Sequence, residues 1–328
     1  MFFYNMKTPK KSGSLVLNCL NCGALYEYQY ETDCHKKGQR MSELSRLKPD
    51  PIPTIHPIPE YAADAALTAV YERTKRGFGV PWMGVVAMAF AHYREFYNCL
   101  WQAMEPVVVT QAFADACKKL RFAAEKEATS LNPVAICSNL TKLGYDDREI
   151  EEIQNCNEVF SSGNMPYVLM ATLARLLLEG HSWEGKGLTQ QHDAPGITVK
   201  KPALIELHHA DPTIAAVYAD VRQTLGLPFV NTDYRAFARW PSYFNPAWTD
   251  LRSIILREEY EHAVRRVHDV AVSLASGLPN MSKITPQQLI GCAKQDGQLS
   301  EVVSVVRLFQ WLLPGLAVNV AVFRHQLL

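Results

Sequence analysis

Apolar side chains along this chain recur at the three- and four-residue spacing of amphipathic helices. The pattern begins near Tyr61 and continues, with one interruption, to the end of the chain. In the first half it predicts helices over residues 62–75, 85–103, 110–127, 146–160 and 167–178. We find no run of alternating β-branched residues bounded by turn signals, which is the pattern of a half-buried strand. The sequence therefore predicts an all-α fold.

Three segments depart from the helical pattern and mark the predicted domain boundaries. Residues 1–40 are rich in Tyr, Asn and Lys and have no sustained periodicity. Five prolines in residues 48–59 fix φ and remove backbone donors, so this segment is expected to be an extended arm. A polar connector with several Gly and Pro residues covers residues 180–202. We predict an N-terminal tail with its arm, a first helical repeat, a linker and a second helical repeat, over residues 1–59, 60–179, 180–205 and 206–328.

The most apolar stretch of the chain covers residues 302–323 and is almost long enough to cross a bilayer. Arg307, Gln310, Pro314 and Asn319 interrupt it. We interpret the stretch as a buried helix pair rather than as a membrane span.

The second half of the chain repeats positions of the first half. Ala69-Val70-Tyr71 recurs as Ala216-Val217-Tyr218, 147 residues later. The same spacing, without a gap, pairs Gly79 with Gly226, Pro81 with Pro228, Ala89-Phe90 with Ala236-Phe237, Asn98 with Asn245, and Trp101 with Trp248. We predict two tandem helical repeats that form a pseudo-twofold dimer inside one chain. Ligand sites often lie where the apolar walls of two such units meet.

The two halves disagree at one position that bears on chemistry. Val86 of the first half corresponds to Asp233 of the second, in a helix start that has become polar in one half only. One interpretation is helix capping, because Asn231, Thr232 and Asp233 are preferred cap residues. The other is a carboxylate at the seam of two apolar units that acts as a general base, with free backbone amides nearby to bind an acidic substrate. Both interpretations can hold together, with Thr232 as the cap and Asp233 in the pocket.

A second polar segment, residues 161–167, separates two predicted apolar helices. It is typical of a turn in which Gly163 ends one helix and Pro166 begins the next. The functional alternative makes the Asn164 amide a group that holds a water or a ligand.

Several segments together carry the pattern of one known family. They are Val80-Pro81-Trp82, residues 144–150, Gly163-Asn164 with Tyr167, residues 232–241, and Gly277-Leu278-Pro279. In their order and spacing, over roughly residues 60–325, they resemble the DehI family of 2-haloacid dehalogenases, the group I enzymes. The resemblance implies an all-α fold of two repeats and a hydrolase that needs no cofactor and no metal. Such an enzyme converts short 2-haloalkanoic acids to 2-hydroxy acids.

The resemblance also implies a mechanism and a set of site residues. In that family an aspartate activates a water that attacks C2 directly, so the configuration inverts and no covalent ester forms. Asp233 matches this aspartate, and Asn164 matches the asparagine that helps to hold the water. Because family members restricted to the D isomer typically carry a small residue at the Asn164 position, we expect action on both the D and the L isomer.

The substrate-binding residues follow from the same resemblance and from the pattern around Asp233. Trp82 matches the pocket tryptophan, and Thr232 keeps the hydroxyl of the family's serine. Val85 replaces an aromatic residue, which predicts a larger pocket. The remaining predicted contacts of the substrate are Tyr167, Phe229 and Asn231.

Composition and charge narrow the class of partner. The chain is 48% hydrophobic and 20% charged, which is ordinary for a globular protein. The charges of its 33 basic and 33 acidic residues cancel, so the chain has no net positive charge that would favour binding to nucleic acid or to an anionic membrane. We expect a small halogenated carboxylic acid and water as partners, and the sequence leaves a homodimer open.

The cysteines point to a reducing compartment. Eight cysteines in 328 residues are too few for a disulfide scaffold, and no secretion signal opens the chain. We therefore expect a cytoplasmic protein. Cys19, Cys22, Cys34 and His35 have the side-chain types of a zinc site at loose spacing. The competing interpretation is that the protein starts at Met41 and that residues 1–40 are translated upstream sequence.

Two other function classes remain open on the sequence alone. A non-catalytic interaction protein would bind a partner through the apolar region at residues 302–323. A thiol redox enzyme on a helical bundle would need a CxxC motif inside a helix, and the only CxxC, Cys19 to Cys22, lies in the tail.

Overall fold

In this computed structural model the described residues are the backbone of 12–18 and 25–31, and residues 44–192 and 200–328. The chain divides into two units, Met1–Met41 and Ser42–Leu328. In the first unit, strands β1 (Ser12–Asn18) and β2 (Leu25–Glu31) pair antiparallel, with Ser12 opposite Glu31. The sequence pattern did not predict this hairpin. The four residues proposed for zinc, Cys19, Cys22, Cys34 and His35, lie outside the described residues.

The second unit confirms the all-α prediction. Short 3-10 turns at Glu60–Ala62 and Leu207–His209 precede two runs of helices. In chain order the helices are α1 (Ala65–Phe78), α2 (Val85–Phe90), α3 (Arg94–Val108), α4 (Gln111–Ser130), α5 (Cys137–Lys142), α6 (Asp147–Leu178), α7 (Pro212–Leu225), α8 (Thr232–Phe237), α9 (Pro241–Ile255), α10 (Glu258–Gly277), α11 (Pro286–Gln295) and α12 (Leu299–His325).

The helix bounds recur at the 147-residue spacing. Helices α1 to α4 and α7 to α10 have equivalent bounds, and α6 and α12 end at equivalent positions. The local chemistry recurs as well: Asp64 and Asp211 accept from backbone amides to cap α1 and α7, and Gly79 and Gly226 end these helices in the left-handed conformation. This recurrence supports the duplication, while the pseudo-twofold relation and the four-part division of the chain stay predictions.

The helix predicted over residues 85–103 is two helices, because the chain turns between Phe90 and Arg94. A carboxylate from a remote part of the chain stabilises the start of the second of these helices, α3. Asp296 accepts hydrogen bonds from the amides of Glu95 and Phe96 at 3.0 and 2.7 Å. Apolar periodicity alone cannot reveal a cap that comes from a residue about 200 positions away.

The polar turn predicted at residues 161–167 is wrong, because α6 runs through it without a break. Pro166 removes a backbone donor whose acceptor would be the carbonyl of Ser162, and Ser162 is exposed, so water can satisfy that carbonyl. Gly163 is buried inside the helix and does not end it. Packing of the apolar residues on both sides of this segment outweighs the low helix propensity of the proline and the glycine.

The stretch at residues 302–323 is one helix, α12, and not the predicted helix pair, since Pro314 lies inside it. It is the one helix of the described residues that is long and apolar enough to cross a membrane, and 89% of its most apolar window is buried in this structure. Helix α12 packs on α6, α4 and α10. Helices α6 and α12 therefore form the centre of the unit, and they position the site.

Candidate active site

A buried carboxylate and a buried amide meet between α8 and α6. The Nδ2 atom of Asn164 donates a hydrogen bond to Oδ1 of Asp233 at 2.7 Å. The two residues are only 5% and 2% exposed. Residues 69 positions apart in sequence are thus in direct contact, as the interpretation of Asp233 as a site residue requires.

Burial changes the acidity of Asp233. Loss of solvation raises the pKa of its carboxyl from 3.8 to about 6, while the Asn164 hydrogen bond, its own backbone amide and the nearby Arg235 act in the opposite direction. The carboxylate is therefore mostly ionised at neutral pH and is a stronger base than an exposed aspartate. The shift places this group where acid–base catalysts operate.

Trp82, from the first half of the chain, packs against Gly163, the residue before Asn164 on α6. It is 4% exposed, and its ring lies 5.0 Å from the ring of Phe160, centroid to centroid. Gly163 makes this approach possible, because a Cβ atom there would lie 2.4 Å from the Trp82 ring. The glycine beside Asn164 is needed for close packing and not for a helix end.

Tyr167 holds the loop that carries Trp82. Its hydroxyl donates to the carbonyl of Trp82 and accepts from the amide of Gly84, both at 2.9 Å. A Cβ atom on Gly84 would lie 2.9 Å from the Tyr167 ring, so the loop can approach only with glycine at this position. The structure thus gives Tyr167 a positioning contact that the sequence did not predict.

Asn231 is the N-cap residue of α8, but its side chain makes no capping hydrogen bond. Its Oδ1 atom is buried and has no partner among the described residues. Thr232 does not cap the helix either: it lies in the first turn, and its hydroxyl accepts from Arg235 at 3.4 Å. The capping interpretation is therefore wrong for both side chains. The backbone amide of Asp233 lowers the pKa of its own carboxyl.

Val85 and Phe229 are half-buried and pack against the core. Val85 is the first residue of α2, and Phe229 lies in the loop before α8. At the 147-residue spacing Val85 corresponds to Thr232, and Phe229 corresponds to Trp82.

Sequence reasoning missed two neighbours of the site. Phe160 lies one turn before Asn164 on α6 and joins the ring of Trp82 to that of Phe237, 6.0 Å away. Burial and the charge of Asp233 raise the pKa of the Cys156 thiol to about 12. The four-residue spacing of Cys156, Phe160 and Asn164 could have indicated this face, had the helix been predicted as continuous.

No cluster of three or more potential metal-ligating side chains occurs in the part of the chain that the structure describes. Asp233 has an amide and an arginine as its polar neighbours. This pairing provides one base and one hydrogen-bond donor, which is sufficient to orient a water molecule.

No protein-family model matches the chain. It is 41% identical over 260 residues to an (R)-2-haloacid dehalogenase of Rhizobium sp. (strain NHG3), covering 77% of this chain and 100% of the relative. It is 34% identical over 280 residues to an (R)-2-haloacid dehalogenase of Pseudomonas putida, covering 84% and 93%. A configuration-inverting 2-haloacid dehalogenase of Pseudomonas sp. (strain 113) is 23% identical over 254 residues, covering 71% and 81%.

The solved structures that this chain matches are also 2-haloacid dehalogenases. A D-2-haloacid dehalogenase in complex with L-LA matches with a TM-score of 0.80 and 33% identity, covering 86% of this chain and 99% of that one. A mutant D-2-haloacid dehalogenase in complex with D-2-CPA matches with a TM-score of 0.78 and 32% identity, covering 84% and 97%. From its identity to two full-length relatives, the chain belongs to the 2-haloacid dehalogenase family, and it is a hydrolase that acts on carbon–halide bonds.

Proposed function

We propose that the chain hydrolyses short 2-haloalkanoic acids to 2-hydroxy acids, with inversion at C2, by direct attack of a water that Asp233 activates. The observation that carries the proposal is the buried 2.7 Å contact between Asn164 and Asp233. A base held in one geometry in a dry site can contribute about 10²–10⁴-fold to the rate. The proposal includes membership of the DehI group and its two-repeat fold.

The roles of the two residues follow from their chemistry. Asp233 accepts a proton from the water as the oxygen attacks C2 and the halide leaves. Asn164 fixes one carboxylate oxygen, so the remaining lone pairs of Asp233 are directed to the water. A pKa of about 6 leaves roughly ten ionised groups for each protonated one at pH 7.

Substrate binding in this proposal rests on polar atoms at the start of α8 and on aromatic walls. Asn231 has a buried side-chain oxygen without a described partner, and a rotated amide would present its NH₂ group to the substrate carboxylate instead. Thr232 adds a hydroxyl. The apolar walls for the carbon chain and the halogen are Trp82, Val85, Tyr167 and Phe229.

The proposal includes action on both enantiomers, but the evidence for the D isomer differs from the evidence for the L isomer. The names of two relatives support the R isomer, which is the D isomer here. Action on the L isomer rests on Asn164 and on water as the nucleophile, because a mobile water can attack either isomer when the small groups at C2 exchange places.

The test is halide release from separate (R)- and (S)-2-chloropropionate. Both isomers should release chloride, each giving the hydroxy acid of opposite configuration, and Asp233→Asn should lose at least 10²-fold in kcat. Asp147→Asn is the matched control, because Asp147 also lies in the first turn of a helix but is exposed. Loss of activity in both variants would contradict a specific role for Asp233. Chloride release from the R isomer alone would overturn the proposed action on the L isomer.

Direct water attack can be separated from an ester intermediate with ¹⁸O-labelled water. With enzyme in excess over substrate, the first turnover should place ¹⁸O in the hydroxy acid. An unlabelled first product would mean that an Asp233 oxygen attacked C2, and the water mechanism would then be wrong.

The rival classes find less support in the structure. An interaction surface at residues 302–323 would have to be exposed, whereas this region is buried in α12. For a thiol redox enzyme, burial and contact with Cys292 raise the pKa of Cys99 to about 12, which disfavours the reactive thiolate. A cytoplasmic location and a homodimer stay predictions.

A further inference from the structure

A cavity of about 210 Å³ is lined by neither Asp233 nor Asn164, although Tyr234, the residue after Asp233, is part of its wall. It is formed by the segment before α1 together with residues of α7, α8, α9, α10 and α12. The lining residues that bear on its chemistry are Arg46, Lys48, Glu261, Tyr260, Trp311 and Asn319. The proposed dehalogenase mechanism uses none of them.

Arg46 brings a buried cation to this cavity. Its side chain is 5% exposed, and its Nη1 atom binds both carboxylate oxygens of Glu261 at 2.6 Å. Its Nε atom is buried and has no acceptor among the described residues. A buried donor without an acceptor is costly, so this atom is suited to a ligand oxygen.

Lys48 adds a second cation at the exposed side of the cavity. Its ammonium lies 5.2 Å from the ring centroid of Trp311, and the Arg46 guanidinium lies 5.3 Å from the same ring. The described hydrogen bond of Lys48 goes to a neutral acceptor, the carbonyl of Leu225, at 3.1 Å. Because Glu261 offsets Arg46, and Lys48 has no carboxylate partner in the described part of the chain, one positive charge remains uncompensated.

The other walls are neutral. Tyr260 donates to Oδ1 of Asn319 at 2.8 Å, and Nδ2 of Asn319 donates to the hydroxyl of Tyr234 at 2.9 Å. These polar groups therefore already have partners within the protein. Apolar side chains, Leu225, Leu312 and Leu316, supply much of the remaining lining. The cavity thus combines cations on one side with an apolar wall, which suits a molecule with one anionic group and a short carbon chain.

We propose that this cavity is a second, non-catalytic binding site for a short-chain carboxylate. The carboxylate binds Lys48 and Arg46, and the carbon chain packs on Trp311 and the leucines. The volume favours an acid of three or four carbons, since a bare halide would leave most of the cavity empty. The substrates and products of the proposed reaction belong to this chemical class, but binding at this cavity does not require that reaction.

The test uses the full chain labelled with 5-fluorotryptophan and titrated with propionate, which carries no halogen and is not turned over. Trp311→Phe and Trp82→Phe assign two of the six fluorine resonances. The Trp311 resonance should shift and saturate at roughly millimolar propionate. Lys48→Met should weaken that shift at least tenfold, and Lys48→Arg should restore it. Lys119→Met, at an exposed lysine on α4, is the control and should leave the shift unchanged.

The Trp82 resonance reports the proposed catalytic site separately. A shift at Trp82 without one at Trp311 would overturn the second site and leave the proposed function standing. A shift at Trp311 without one at Trp82 would support the second site and count against the substrate site. If chloride saturates the Trp311 shift as readily as propionate does, the assignment to carboxylates is wrong.

Discussion

At the scale of single residues, the site depends on how burial and one hydrogen bond balance at Asp233. Loss of solvation favours the neutral acid, and the Asn164 amide favours the carboxylate. Burial is the larger effect, so the group remains a base with a pKa of about 6. The same balance has consequences for stability and for the pH profile.

The first prediction concerns stability. The pKa of Asp233 in the folded protein is raised above its value of 3.8, so the group favours folding when protonated and opposes it as pH rises from about 4 through about 6. Asp233→Asn removes the charge and should raise the free energy of unfolding at pH 7 by about 2–3 kcal/mol. Urea unfolding at pH 4 and pH 7 measures this. The gain should shrink at pH 4, and an equal gain at both values would contradict the assigned cause.

The second prediction concerns the pH profile. Asn164→Ala removes a hydrogen bond that lowers the pKa of Asp233, so the acidic limb of kcat/KM should move upward by about one pH unit. The rate at the plateau should fall roughly 10–100-fold, because the carboxylate loses its orientation. A loss of rate without movement of the limb would mean that Asn164 does not act through Asp233.

At the scale of elements, α6 is decisive because it carries Asn164, Gly163 and Tyr167 on one continuous helix. A turn at residues 161–167 would separate these side chains. As a helix, α6 presents Gly163 to the Trp82 ring and places Tyr167 under the Trp82 loop.

The third prediction tests this packing. Gly163→Ala places a methyl group 2.4 Å from the Trp82 ring, so it should destabilise the protein by about 1–3 kcal/mol and lower activity. Gly291→Ala is the matched control, because Gly291 also lies inside a helix but has open space around it. The control should be neutral or stabilising by up to about 1 kcal/mol, since alanine favours the helix. Equal destabilisation by both changes would rule out the clash with Trp82 as the cause.

At the scale of the whole molecule, the proposed site and the second cavity use residues of the unit Ser42–Leu328. Within that unit the helix bounds recur at the 147-residue spacing, whereas the chemistry does not: the position of Asp233 is a buried valine in the first half. Two halves with the same helix bounds can therefore differ at the one position where we propose a catalytic group.

The fourth prediction concerns residues 1–40. A chain that begins at Met41 retains the whole second unit, so it should keep the kcat/KM and the melting temperature of the longer chain within about twofold and about 2 °C. Halide release and thermal unfolding of the two chains measure this. A large loss in the shorter chain would show that the first unit supports the second.

The sequence by itself determined the helical class and the 147-residue recurrence, and it indicated Asp233 as the candidate catalytic residue. These conclusions depend only on local periodicity and on residue identity. Its resemblance to a known family also named Asn164 and Trp82. It did not indicate where helices join or break. Proline and glycine signals at residues 161–167 predicted a turn, and an apolar run at residues 85–103 predicted one helix.

The tertiary structure decided those points, since burial against remote residues outweighs local preference. Packing keeps α6 continuous across Pro166. The Asp296 carboxylate, about 200 residues away in sequence, accepts hydrogen bonds from the first turn of α3. The pKa of Asp233 depends on desolvation, and the charged cavity depends on the approach of Arg46 and Lys48 to α12. Desolvation and long-range contacts exist only once the chain has folded, so no local pattern encodes them.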